Sequence, residues 1–163
     1  MASRRSAWLE TAALFAALYV ALPLVGLSAD RAFGLPAIPS AIRVAGIVLV
    51  VVGAAGLAWS IGVLVRVGGG TPNPVAPSGK LVTSGPYAWT RNPIVASHFL
   101  AASGVALSLG SPAALAGVFL LAPVPIILVA HEEKTLRARF GNAYREYEAR
   151  VPRWIPRPPR RQS

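Results

Sequence analysis

The apolar segment that decides the fold is AIRVAGIVLVVVGAAGLAWSIGVLV, residues 41–65. It contains one charged residue, Arg43, close to its start. An α-helix needs about 20 consecutive apolar residues to cross the hydrocarbon core of a bilayer, and this segment is long enough to do so. The sequence therefore predicts a helix that spans a membrane.

Three further apolar segments lie at residues 7–27, 94–109 and 112–130. The last two are joined by the stretch LGSP, which is too short for anything except a tight turn between antiparallel helices. The other joints, at 28–40 and 67–80, are longer and rich in turn-forming residues. These segments predict an all-α integral membrane protein with about four transmembrane helices in a single domain, residues 1–163.

The composition agrees with a membrane protein and excludes several kinds of site. Hydrophobic residues make up 54% of the chain and charged residues only 13%, whereas charged residues are about a quarter of an ordinary soluble domain. The chain has no cysteine and two histidines. It therefore lacks the side chains for a disulfide, a thiolate site or a multi-histidine metal site, and we predict no metal.

The formal charge of +10 is concentrated in one region, since nine of the 16 Lys and Arg residues follow the last apolar segment. Membrane topology explains this distribution better than nucleic-acid binding does, because cytoplasmic loops carry an excess of Lys and Arg. We therefore predict that both termini lie in the cytoplasm, and in a prokaryote that the protein lies in the inner membrane. Membrane lipids are then its surroundings, and no nucleic-acid partner is expected.

Residues 131–163 are polar, and their apolar side chains recur every three or four positions: Leu136, Phe140, Tyr144, Tyr147 and Val151. This spacing predicts an amphipathic helix on the cytosolic side of the membrane. Gly141 and Asn142 tolerate left-handed backbone conformations, so a break between two helices is expected there. Beyond Pro152 the many proline and arginine residues predict a disordered tail.

Polar residues gather where the third and fourth apolar segments meet the cytosolic interface. Arg91 and Asn92 precede the third segment, and Glu132 and Glu133 follow the fourth. Two adjacent carboxylates at the end of a span repel each other and need cationic partners or a cationic ligand. Two interpretations stay open here, a salt-bridge cluster that caps the bundle and a pocket for a charged ligand. His98, inside the third segment, is either a hydrogen-bonded core residue or a proton carrier.

Two separated motifs resemble a known family. LVTSGPYAWTRNP (residues 81–93) and EEKTLRARFGNAYREYEARVPRWIP (residues 132–156) look like the isoprenylcysteine carboxyl methyltransferase family and the related phospholipid methyltransferases. The resemblance covers residues 70–156, and the two motifs bracket a helical hairpin. It implies S-adenosylmethionine as the cofactor. It also implies methyl transfer to a lipophilic or amphipathic acceptor, carrying a carboxylate, an amine or a thiol, at the cytosolic face of the membrane.

Carried over position by position, the resemblance implies cofactor contacts from Gly79, Lys80, Leu81, Val82, Tyr87, Asn92, Pro93, Ile94, Val95 and Glu132. A carboxylate such as Glu132 suits the cationic sulfonium or amino group of this cofactor. Tyr87 and its apolar neighbours can hold the adenine.

The candidate catalytic residues are Arg91, Glu133 and His98. Arg91 would pair with the carboxylate of an acceptor, which needs no base. An amine acceptor would have to be deprotonated first, and Glu133, His98 or His131 would be the base.

Three positions depart from the family pattern. The family's histidine before the proline is Asn92 here, its tyrosine two residues beyond that proline is Val95, and the arginine that pairs with a prenylcysteine carboxylate is Leu128. A prenylcysteine acceptor is therefore disfavoured. Two alternatives to a methyltransferase stay open. One is a non-enzymatic membrane scaffold derived from the family, and the other is a related membrane reductase that uses a nicotinamide cofactor.

Overall fold

The computed structural model of the protein describes Leu9, residues 12–69 and residues 79–158. Every regular element in this part of the chain is helical. The helices are α1 (Ala12–Phe33), α2 (Ser40–Gly68), α3 (Pro93–Leu109), α4 (Pro112–Leu121), α5 (Pro123–Phe140) and α6 (Asn142–Arg150), and a short 3₁₀ turn forms at Gly85–Ala88. Most of the predicted connector at 67–80 lies outside the described residues.

In the described part of the chain, three helices are long and apolar enough to cross a bilayer: α1, α2, and the stretch Pro112–Phe140 formed by α4 and α5 together. The all-α membrane fold predicted from the sequence is confirmed, and the chain is an integral membrane protein. α3 has 17 residues and is at the short limit for a span, so the count of four transmembrane helices stays a prediction.

α1 continues beyond the predicted end of the first span. The connector expected from residue 28 is helical as far as Phe33, so that expectation was wrong for its first part. The Asp30 carboxylate accepts hydrogen bonds from the N–H of Ala113 at 3.0 Å and from the Ser111 hydroxyl. Asp30 thereby caps the start of α4 instead of ending its own helix. Gly34, with a left-handed φ of 62°, ends α1.

α2 and α3 pack antiparallel with their backbones unusually close. A Cβ atom added to Gly53 would lie 2.6 Å from the backbone nitrogen of Ala101, and one added to Gly104 would lie 2.6 Å from the nitrogen of Val50. Small residues permit such close approach, which favours helix association inside a bilayer. The pair forms the centre of the bundle and holds the start of α3 beside the end of α2.

Gly53→Ala should destabilise the protein by about 1–3 kcal/mol, because the added methyl group meets the α3 backbone rather than a flexible side chain. Gly62→Ala is the matched control in the same helix. Nothing lies within 4 Å of its added Cβ, and alanine favours a helix over glycine by about 1 kcal/mol. Thermal unfolding in detergent should rank Gly53→Ala below the wild type and Gly62→Ala level with it or above. The reverse order would contradict the close contact.

The predicted tight hairpin between α3 and α4 is confirmed. Further along, Pro123 and Pro125 have no N–H to bond to the preceding turn. The carbonyl of Phe119 accepts instead from the N–H of Ala122, at 3.2 Å. The proline pair therefore interrupts the helix between α4 and α5.

α5 runs from the apolar segment into the polar region with no helix end at residue 131. The predicted break at Gly141 is confirmed, because its φ of 54° separates α5 from α6. α2 ends and α3 begins on the same side of the bundle. This side, which we call the site face, also carries the second half of α5 and the whole of α6.

Candidate active site

A cavity at the site face brings the two sequence motifs together. Its walls come from the end of α2, the 3₁₀ turn, the residues before α3, the second half of α5 and one side of α6. The lining residues are Leu64, Leu81, Val82, Tyr87, Arg91, Asn92, Glu132, Glu133, Leu136, Tyr144 and Tyr147. Apolar and aromatic side chains thus surround a few charged groups, which is the usual composition of a small-molecule site.

The proline-rich turn before α3 is held in place by its prolines and by buried tyrosines. Pro86 and Pro93 each lie in the first turn of a helical segment, where the missing N–H costs no hydrogen bond. The Tyr87 hydroxyl donates to the carbonyl of Ser60 in α2 at 3.4 Å, and the Tyr87 carbonyl accepts from the Tyr147 hydroxyl at 2.7 Å. Burial raises the pKa of Tyr87 above its ordinary value. Tyr87 is therefore a neutral and fixed wall of the cavity.

Residues 151–158, which we call the strap, pair with this turn. The N–H of Arg91 donates to the carbonyl of Pro152, and the N–H of Arg157 donates to the carbonyl of Trp89, both at 2.9 Å. The disordered tail predicted beyond Pro152 is therefore wrong as far as Arg157. The strap's backbone groups are satisfied by the turn rather than by a helix or a sheet.

The carbonyl of Arg153 in the strap accepts two further hydrogen bonds from the turn. The Thr90 hydroxyl donates to it at 2.9 Å, and the side-chain amide of Asn92 donates to it at 3.2 Å. Asn92 stands where the resembling family has histidine. Its amide holds the strap in this protein, while the residue still lines the cavity.

Glu133 is the centre of an ion-pair cluster that joins α5 to the turn, to α6 and to the strap. Its side chain is 3% exposed, and its carboxylate lies 3.1 Å from Arg91, 2.6 Å from Arg153 and 3.4 Å from Arg137. Glu148 of α6 pairs with Arg91 at 2.7 Å and with Arg137. Hydrogen bonds from Arg137 and Arg91 lower the pKa of Glu148 to about 2. The predicted proximity of Arg91 to the glutamate pair is confirmed.

Glu132, the neighbouring residue, is in the opposite situation. It lines the cavity, and within the part of the chain that the structure describes its carboxylate makes no hydrogen bond or ion pair. The Nε atom of Arg91 is buried and also has no partner among the described groups. The cavity wall therefore contains an unpaired carboxylate and an unsatisfied guanidinium N–H, a combination suited to a ligand that carries charges of both signs.

The family model of the phospholipid methyltransferases matches residues 41–143 of the chain. The chain belongs to the phospholipid methyltransferase family. No individual curated protein matches its sequence. The matched region runs from α2 into α6 and so includes the turn, the hairpin and both glutamates. The resemblance found in the sequence is confirmed, and membership in this family indicates a methyltransferase of lipid-like membrane substrates.

Part of the site predicted from the sequence comes together in the structure. Five predicted cofactor contacts line the cavity: Leu81, Val82, Tyr87, Asn92 and Glu132. Two of the three catalytic candidates, Arg91 and Glu133, line it as well. The predicted contacts that are not among the lining residues are Gly79, Lys80, Pro93, Ile94 and Val95.

His98, the third catalytic candidate, is not among the residues that line the cavity. Its Nδ1 atom lies 2.8 Å from the hydroxyl of Tyr19 in α1. His131 is exposed on α5, and Leu128 on the same helix is 63% exposed. The position of the family's missing arginine is therefore part of the outer, apolar surface of α5 in this protein.

Four lining residues could not be identified as such from the sequence: Leu64, Leu136, Tyr144 and Tyr147. The spacing of Tyr144 and Tyr147 indicates an apolar helix face. This spacing was the only sequence signal for them, and it does not show which part of the protein the face packs against. The ion pairs of Arg137, Glu148 and Arg153 were missed as well. Arg137 follows Glu133 by four residues on α5, a spacing that favours an ion pair and could have identified this contact. The pairs of Glu148 and Arg153 form because the chain turns back after α5 and brings α6 and the strap beside Glu133 and the arginines.

Proposed function

We propose that this protein transfers a methyl group from S-adenosylmethionine to the polar group of a lipophilic or amphipathic acceptor at the cytosolic face of the membrane. The unequal environment of the two glutamates is the observation that carries the proposal. Glu133 is neutralised by three guanidinium groups, whereas Glu132 lines the cavity with no partner in the described part of the chain. Glu132 is exposed at the cavity, and a carboxylate there with no cationic partner is open to a cationic ligand.

The lining residues fit this cofactor, which when bound supplies a methyl group on a positively charged sulfonium. Glu132 would hold one of the cationic groups, and the unsatisfied Nε of Arg91 would suit a carboxylate. The ring of Tyr87 and the apolar side chains of Leu81 and Val82 would flank the adenine. The other proposed contacts precede or follow the same turn in the chain: Gly79, Lys80, Asn92, Pro93, Ile94 and Val95.

Methyl transfer requires mainly alignment and the exclusion of water from the protein. The strap and α6 serve both needs, because their hydrogen bonds hold the turn against α5. We propose that Glu133 orients Arg91 rather than acting as a base, since both of its oxygen atoms already accept from guanidinium groups. His131, another candidate base for an amine acceptor, is exposed on α5 and is not among the residues that line the cavity.

The acceptor in this proposal arrives from the bilayer. Before the glutamate pair, α5 presents exposed apolar side chains at Ile126, Ile127 and Leu128. In a membrane these side chains contact acyl chains, which are as apolar as leucine. A lipid that moves along α5 would thus have its head group at the level of Glu132 without crossing water.

The cytosolic assignment in this proposal depends on the distribution of positive charge. Most of the positive charge lies at the site face, which carries Arg66, Arg91 and the basic residues of α5 and α6. The other side of the bundle carries Arg31, near the end of α1, and Arg43, near the start of α2. The excess of Lys and Arg favours the cytosol for the site face. The cofactor, which is polar, would then bind from the compartment in which it is made.

Reconstituted protein in nanodiscs tests the proposal. We expect saturable binding of S-adenosylmethionine, no thermal stabilisation by NADPH, and transfer of the methyl label from the cofactor into the lipid fraction, detected by mass spectrometry. No saturable cofactor binding in a folded sample would overturn the proposal. Stabilisation by NADPH would favour the reductase, and cofactor binding without a labelled product from a lipid extract would favour the scaffold.

A further inference from the structure

A polar pair joins α1 and α3 inside the apolar part of the bundle. The Tyr19 hydroxyl lies 2.8 Å from Nδ1 of His98, and the ring of Phe15 packs edge-on against the imidazole with centroids 4.6 Å apart. Tyr19 belongs to the π-helical turn Ala17–Ala21. Such turns are rare inside α-helices and are frequent at functional sites. Ionisable residues within membrane helices are costly and usually have a function.

One nitrogen of His98 has no partner in this pair. We assign the Tyr19 hydroxyl as the donor to Nδ1, so the neutral imidazole carries its proton on Nε2. His98 is partly exposed, and its contact with Tyr19 leaves Nε2 without a hydrogen bond to any described residue. An N–H without a partner is unfavourable at the edge of the hydrocarbon core, where little water is present, so a partner from outside the chain would stabilise this arrangement.

The depth of His98 indicates the chemistry of that partner. His98 lies five residues beyond Pro93, the first residue of α3, which corresponds to about 7–8 Å along the helix. The polar zone of a bilayer is about 5–8 Å thick on each side of the hydrocarbon core. The ester carbonyls of a glycerolipid lie at the boundary between these regions, so a lipid with its head group at the start of α3 has carbonyl groups at the depth of His98.

We propose that His98, oriented by Tyr19, donates a hydrogen bond from Nε2 to an ester carbonyl of a glycerolipid whose head group lies at the site face. This inference rests on the proposed function in one respect, which is that the bound lipid is the methyl acceptor. The cavity then selects the acceptor by its head group, and the Tyr19–His98 pair selects it by the linkage of its acyl chains. In this role His98 is a recognition residue and does not act as a base.

Two matched lipids test the inference. The probes are diacyl phosphatidylethanolamine and its diether analogue, which has the same head group and chain length but no ester carbonyl. Native mass spectrometry of the full chain, released from detergent, measures how strongly each lipid is retained. We expect the wild type to bind the diester about three- to tenfold more tightly, as expected for one hydrogen bond.

Variants of the pair separate recognition from structure. His98→Phe should abolish the preference for the diester, and Tyr19→Phe should reduce it because the imidazole loses its orientation. Ser108→Ala is the control on the same helix. It removes a hydroxyl that donates to the Val105 carbonyl, and the preference should not change. A purely structural pair would lower thermal stability in both Tyr19 and His98 variants without changing the ratio of diester to diether binding.

Equal binding of the two lipids by the wild type, or a preference that persists in His98→Phe, would overturn the inference. Methyl transfer is measured separately with labelled cofactor. A wild type that prefers the diester but transfers no methyl group to any lipid would therefore support this lipid site and overturn the proposed function. Methyl transfer to both lipids, with equal binding affinity for the two, would support the proposed function and overturn this lipid site.

Discussion

Glu132→Gln should weaken the binding of S-adenosylmethionine roughly ten- to hundredfold and leave thermal stability nearly unchanged. The carboxylate lines the cavity and is exposed, and no salt bridge of the described residues includes it. A hydrogen bond to a charged group contributes about 1.5–3 kcal/mol, which is the origin of the expected loss in affinity. Calorimetric titration of the reconstituted variant with the cofactor measures the affinity, and thermal unfolding measures the stability.

Glu146→Gln provides the control for this experiment. Glu146 is an exposed residue of α6, so its replacement removes the same charge from the site face without touching the cavity. Its cofactor affinity should equal that of the wild type. If Glu132→Gln also bound the cofactor like the wild type, the assignment of the cavity as the cofactor site would be wrong.

Unlike Glu132→Gln, the variant Glu133→Gln should be less stable than the wild type, with a free energy of unfolding lower by about 3 kcal/mol. The side chain is 3% exposed and is the common partner of three arginines. Removing one partner from a buried ion pair costs about 3–5 kcal/mol, because the remaining charge loses its compensation. We expect the lower end of that range, because the side chains of Arg137 and Arg153 are 37% and 38% exposed and water solvates part of their charge.

Glu132→Gln is the matched control here, since it removes the same charge one residue away. A double variant tests whether the loss of stability comes from an arginine left without its anionic partner. Adding Arg153→Gln to Glu133→Gln should cost less than the sum of the two single changes, because the second substitution removes a cation that the first left unpaired. Thermal unfolding of the wild type, the two single variants and the double variant gives the coupling energy between Glu133 and Arg153. A Glu133→Gln variant as stable as the wild type would contradict the central role of this carboxylate.

The transmembrane helices could be predicted from the sequence, because segment length and hydropathy decide whether a helix spans a bilayer. The hairpin at LGSP could be predicted for a similar local reason. The end of α1 could not. Asp30 looks like part of a turn, yet its carboxylate binds the hydroxyl of Ser111, 81 positions away. A polar residue near a helix end can thus cap another helix, and local composition does not reveal which of the two it does.

The two glutamates show where prediction of the site stops. Glu132 and Glu133 are adjacent and chemically identical, and on an α-helix they point about 100° apart. The sequence identifies them as a pair that needs cations. It does not show that the arginines surround only Glu133. Arg137 reaches Glu133 from the next turn of α5, but Arg91 and Arg153 come from the turn before α3 and from the strap, so their contacts depend on tertiary structure.

The strap could not be predicted for a different reason. Its proline and arginine residues have the composition of a disordered segment, but its backbone bonds to Arg91 and Trp89 in the turn before α3. Composition describes side chains, whereas these contacts are made by main-chain atoms. The same applies to the carbonyl of Arg153, which accepts from Thr90 and Asn92.

The strap also sets an order of events during biosynthesis. The ribosome makes the turn before α3 well before it makes Pro152 and Arg157. Until those residues emerge, the N–H of Arg91 and the carbonyl of Trp89 lack these two partners. A nascent chain can therefore insert all of its apolar helices before the strap holds the turn that lines its cavity. Membrane insertion and the final positioning of the turn are in this way separated in time.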